Sequence, residues 1–69
     1  MDSLDALRER IEILKKENDC TAAALAEKCG AQPRDFSDLN RKDRKKPNYE
    51  LAEKLADTFG VSIDWLLGR

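Results

Sequence analysis

Histidine is absent from this 69-residue chain. Its absence excludes imidazole-based general bases, histidine-containing triads and histidine-ligated metal sites. Cysteine is limited to Cys20 and Cys29. If the segment between them is helical, a rise of about 1.5 Å per residue sets them roughly 13 Å apart. A disulfide tolerates a Cα separation of only about 7 Å, and two thiols are two ligands short of a zinc site. The expectation is two reduced cysteines, with Cys29 a small core residue, and neither metal nor cofactor. Long apolar runs are missing too. The longest, Ala22 to Ala26, spans five residues, against the roughly 20 that cross a bilayer. No basic-then-apolar opening reads as a signal peptide, so a soluble, intracellular chain with no membrane partner is expected. A chain of this length holds one small domain, residues 1–69, with a modest core. It leaves no room for a catalytic cavity between two lobes, and an enzyme is not expected.

Beta signals are scarce as well: few β-branched residues, no period-two alternation and no Asn-Gly turn. Helical signals recur instead. Leu4, Leu7, Ile11 and Leu14 mark one face of a first helix that Ser3 or Asp2 can cap. Their spacing also fits a coiled coil, but two heptads fall short of the three or four needed. Asn18 and Asp19 interrupt, and Thr21 can cap a second helix with Leu25, Ala26 and Cys29 inward and Gly30 at its end. Pro33 can open a third helix, with Phe36 and Leu39 inward. Residues 40–47 read as a loop. Asn48 can cap a fourth helix carrying Leu51, Ala52, Leu55, Ala56 and Phe59 on one face, stopped by Gly60. Ser62 can cap a last short one with Ile63, Trp65, Leu66 and Leu67, followed by Gly68. The predicted fold class is all-α: five short helices in one domain.

The net charge of −1 conceals an uneven distribution. Residues 1–29 carry five basic and seven acidic side chains, residues 30–48 six and three, and residues 49–69 two and four. The blocks are therefore −2, +3 and −2. The stretch Arg41-Lys42-Asp43-Arg44-Lys45-Lys46 holds five cations and one anion, a local basic footprint suited to a docking surface.

The segments Leu25-Ala26-Glu27-Lys28-Cys29-Gly30, Lys46-Pro47-Asn48-Tyr49-Glu50-Leu51 and Leu55-Ala56-Asp57-Thr58-Phe59-Gly60-Val61-Ser62-Ile63-Asp64-Trp65-Leu66-Leu67-Gly68 occur in that order. On these segments the chain resembles the lambda-repressor-like, Cro-type helix-turn-helix family, from about Leu7 to Gly68. The last two segments are mainly fold signals, so function rests on residues 21–48. Here the chain departs from the family's usual pattern. Ala22 stands where glutamine is common, Pro33 where a first base-reading side chain often lies, and Asn40 where an acidic residue is usual. The basic loop is one residue longer.

The resemblance implies a third helix laid in the major groove of duplex DNA. Its outward side chains Arg34, Ser37 and Asp38 are the candidate base readers. Arginine bonds guanine O6 and N7 as a pair, serine is permissive, and aspartate accepts from cytosine N4. Asp35 has a local explanation, since acidic residues suit a helix's first turn, and Asp38 is alternatively a negative determinant or part of a solvated face. Candidate phosphate contacts are Thr21, Arg41, Lys42, Arg44, Lys45, Lys46 and Asn48, the helix-opening residues offering backbone amides; the alternative is an ordinary solvated charged loop. Few base readers per domain imply a homodimer on a palindromic operator. Ile63, Trp65 and Leu66 are candidate dimer contacts, or else core. Trp65 and Tyr49 read as core or dimer aromatics rather than base-stacking platforms.

The implied role is a transcriptional regulator of the phage or prophage repressor type, cytoplasmic in a bacterial host. The family's closing glycine falls at Gly68, so a DNA-binding part of a longer regulator is expected. The competing reading is the same scaffold used as a protein-binding module in an antitoxin or antirepressor circuit, favoured by Asp35, Asp38 and the missing glutamine.

Overall fold

The computed structural model describes residues 2–69. Among them are five helices and no strand: α1 (Ser3–Glu17), α2 (Ala22–Cys29), α3 (Pro33–Leu39), α4 (Tyr49–Phe59) and α5 (Ile63–Leu66). Four of the five starts have a short polar side chain folded back on a free amide. Asp2 accepts from Asp5 N at 2.8 Å, Thr21 from Ala24 N at 3.2 Å, Asn48 from Leu51 N at 3.0 Å and Ser62 from Trp65 N at 3.0 Å. Such a cap contributes about 1 kcal/mol, and in a domain this small the sum matters. Asp2 is thus the cap of α1, and Ser3 its first turn.

The periodic apolar residues converge on one core: Leu4, Leu7, Ile11 and Leu14 from α1, Leu25, Ala26 and Cys29 from α2, Phe36 and Leu39 from α3, Leu51, Ala52 and Leu55 from α4, with Leu66 and Leu67 closing it. α1 packs on α5, α2 on both α3 and α4, and α4 on α5. The heptad-like spacing of α1 is therefore spent inside the monomer. Tyr49 is 51% exposed at the first turn of α4, so of its two expected places the core is excluded.

The cysteines are both free, Cys20 half-buried and Cys29 buried. Burial pushes the Cys29 thiol above its ordinary value of 9.0. Above that pH the unfolded chain binds fewer protons than the native one, so stability falls as pH rises towards and through the raised native value. Melting temperatures taken from pH 8 to 10.5 should fall more steeply for the native sequence than for Cys29→Ala. Equal slopes would mean that the thiol is not the titrating group.

No helix is long and apolar enough to cross a membrane among the described residues.

Candidate functional site

The connection between α2 and α3 is Gly30-Ala31-Gln32. Gly30 takes the left-handed conformation, φ 74°, where a side chain would be strained. Its amide donates to the Glu27 carbonyl at 3.4 Å, and Ala31 N donates to the Ala26 carbonyl at 2.9 Å. These two bonds form a Schellman stop, which fixes the angle at which the chain leaves α2. The Lys54 ammonium on α4 reaches the Gly30 carbonyl at 3.4 Å and ties the turn to the rest of the domain.

α3 then opens at Pro33, whose missing N–H costs nothing at the first helical position. Asp35 turns back so that Gln32 N donates to its Oδ2 at 3.0 Å. Its carboxylate is thereby explained by helix initiation, which removes one of the two acidic residues that had argued for a protein-binding role. Phe36 and Leu39 point inward at 3% and 1% exposure. Arg34 and Ser37 are exposed and Asp38 is half-buried. Residues i, i+3 and i+4 share a helix face, so these three make one outward strip opposite the anchored side.

The end of α3 accounts for all four carbonyls that a helix terminus leaves without partners. Asn40 Nδ2 donates to Phe36 O at 3.1 Å, and Asn40 N to Ser37 O at 3.1 Å. Arg41 N donates to Asp38 O at 3.2 Å. The fourth donor comes from α1: Arg8 Nε bonds Leu39 O at 2.8 Å, while its Nη2 bonds Arg41 O at 3.1 Å. Arg8 therefore pins both the last turn of α3 and the first residue of the basic stretch to the core helix. The local pattern around position 8 contains no hint of this, because the partners are main-chain carbonyls 31 and 33 residues away. Asn40, unusual for the resemblance, works here as a C-terminal cap.

Beyond that anchor, Asp38, Arg41, Asp43, Arg44, Lys45 and Lys46 line an open concavity of about 450 Å³. The cations are not equivalent. Arg41 grips Asp43 through Nε–Oδ1 at 3.1 Å and Nη2–Oδ2 at 2.9 Å. Arg44 donates from Nε to the Lys46 carbonyl at 2.7 Å and braces the loop. Lys42, Lys45 and Lys46 are exposed and form no ion pair among the described residues. Thr21 and Asn48 spend a side-chain oxygen on capping, which leaves the Thr21 hydroxyl proton, the Asn48 Nδ2 hydrogens and the backbone amides that follow as donors for a ligand.

The three residues read as dimer contacts do not share one surface. Leu66 is wholly buried in the monomer and is a core residue, so it is unavailable to a partner. Trp65 is half-buried beneath the Arg10 guanidinium, whose carbon lies 5.2 Å from the ring centroid, and Arg10 Nε also bonds the Trp65 carbonyl at 3.2 Å. Ile63 alone is exposed, at 37%.

No protein-family model, no curated protein and no solved structure matches this chain.

Proposed function

We propose that this domain binds duplex DNA in a sequence-selective manner as part of a transcriptional regulator, with α3 in the major groove and the basic loop on the flanking phosphates. One observation carries the reading: the strip Arg34, Ser37 and Asp38 faces outward from a helix nailed to the core by Phe36 and Leu39, and leads directly into a loop presenting exposed Lys42, Lys45 and Lys46. An α-helix with its side chains is about 10–12 Å across, which matches a major groove about 12 Å wide. Arg34 is the guanine reader in this arrangement, Ser37 and Asp38 tune the adjacent pairs, and the lysines bind phosphates without regard to base. The amides after Thr21 and Asn48 give further phosphate contacts. Because a single domain offers so few base contacts, selectivity requires two copies on a palindrome; of Ile63, Trp65 and Leu66, Ile63 has the exposed side chain. A repressor of the phage type working in the bacterial cytoplasm is the biological setting that the helix-turn-helix resemblance suggests.

Selection from random-sequence duplexes with the purified protein tests this directly, since an enriched site should emerge and should be two-fold symmetric. Arg34→Ala should then relax the preference at one base pair per half-site, by about 1–3 kcal/mol, with little change in binding to non-cognate duplexes. An unchanged preference would place base reading elsewhere on α3.

A second reading, a protein-binding module with weak or no DNA affinity, draws on Asp38 and Asp43, whose carboxylates line the same concavity as the cations. It predicts no binding to any duplex even at low salt.

A further inference from the structure

The most specific contact in the basic loop is internal to it. Arg41 and Asp43 meet side-on through two N–H groups and two carboxylate oxygens, at 3.1 and 2.9 Å. This is the same fork-to-fork arrangement by which a guanidinium takes a phosphate. The backbone makes the meeting easy. Arg44 N donates to Arg41 O at 3.2 Å and closes a turn, which sets position 43 back toward position 41. Arg41 is itself held from both sides, its amide on Asp38 O at 3.2 Å and its carbonyl on Arg8 Nη2 at 3.1 Å. The side chains can therefore part without the loop giving way. Both stay open to solvent, at 61% and 71% exposure, so the pair is weak enough for an incoming anion to contest.

We infer that Asp43 is a built-in competitor for Arg41: its carboxylate occupies the guanidinium in the free protein and withholds it from nucleic-acid phosphate. The inference rests on the duplex-binding reading above and adds a restraint to it. One of five cations in the run is neutralised from within, which lowers binding to every duplex alike and leaves the readout strip of α3 to decide between them. Asp43 limits general affinity by occupation, not merely by its negative charge.

A double-mutant cycle separates occupation from simple repulsion. Binding of a fluorescent duplex of arbitrary sequence is measured against salt for the native chain, Asp43→Asn, Arg41→Gln and the double variant. Asp43→Asn should bind about fivefold tighter at low salt, and its log–log salt slope should steepen by about 0.9, one further phosphate neutralised. In the Arg41→Gln background the same substitution should give less than a twofold gain and no change of slope. Equal gains in both backgrounds, or no gain in the native one, overturn the inference.

The Arg41 Nε–H resonance of the DNA-free protein supplies an independent reading, and should move on Asp43→Asn while the melting temperature stays put. A resonance indifferent to residue 43 overturns the pair itself, whatever DNA does. If the native chain binds no duplex while the resonance does respond, the duplex-binding reading has failed and the withholding role falls with it. Native binding with additive substitutions rejects only the inference.

Discussion

Exchanging Lys42, Lys45 and Lys46 together for glutamine should cost duplex affinity about a hundredfold near 0.1 M salt, and should flatten the log–log salt slope by about 2.7. The slope follows from counterion release at about 0.9 per neutralised phosphate. These three are chosen because they are exposed and carry no carboxylate partner among the described residues, whereas Arg41 is gripped by Asp43 and Arg44 braces the Lys46 carbonyl. Surface substitutions away from caps and networks move stability by about 0.5 kcal/mol or less, so the melting temperature should hardly change. Fluorescence anisotropy on one duplex across a salt series makes the measurement. A native slope retained by the triple variant would show that the loop does not touch the phosphates.

The largest effect on folding belongs to Phe36→Ala. The ring is 3% exposed and sits in the central cluster with Leu39 and the α1 and α4 leucines. Removing it takes away its transfer free energy and leaves a cavity, together about 3–5 kcal/mol. A domain of this length has a total stability of only about 3–10 kcal/mol. The urea midpoint should therefore drop sharply or the transition disappear, and Cys29, buried in the native state, should become open to alkylation. Since Phe36 is also the inward anchor of the helix bearing Arg34 and Ser37, duplex binding should go with it. A variant that keeps its midpoint would mean that α3 is not held by this residue.

The elements were legible because their signals are local. A threonine, asparagine or serine three residues before an amide needs only its own turn to act as a cap, and Thr21, Asn48 and Ser62 do so. Leucines at three- and four-residue spacing declare the inner face of a helix wherever it lies. The contacts that assemble the candidate site were not legible. Arg8 to Leu39 and Arg41, Arg10 to Trp65 and Lys54 to Gly30 each join a long flexible side chain to a backbone carbonyl on another element. Every residue type has such a carbonyl, so no sequence pattern marks the acceptor. The last helix left core and dimer contact both open, because apolar side chains serve either; the fold buries Leu66 and lays Arg10 over Trp65.

Because Arg8 grips main-chain oxygens at positions 39 and 41, the loop's mount is indifferent to the side chains it carries. Lys42, Lys45 and Lys46 can be exchanged for other residues while the same stage holds them at the same height beside α3. If the domain binds duplex DNA as proposed, general affinity and choice of base are separately adjustable, the first by edits after position 41 and the second by edits on the strip from 34 to 38. On the duplex-binding proposal, a chain built this way would drift toward a new operator without renegotiating its hold on the sugar–phosphate rail.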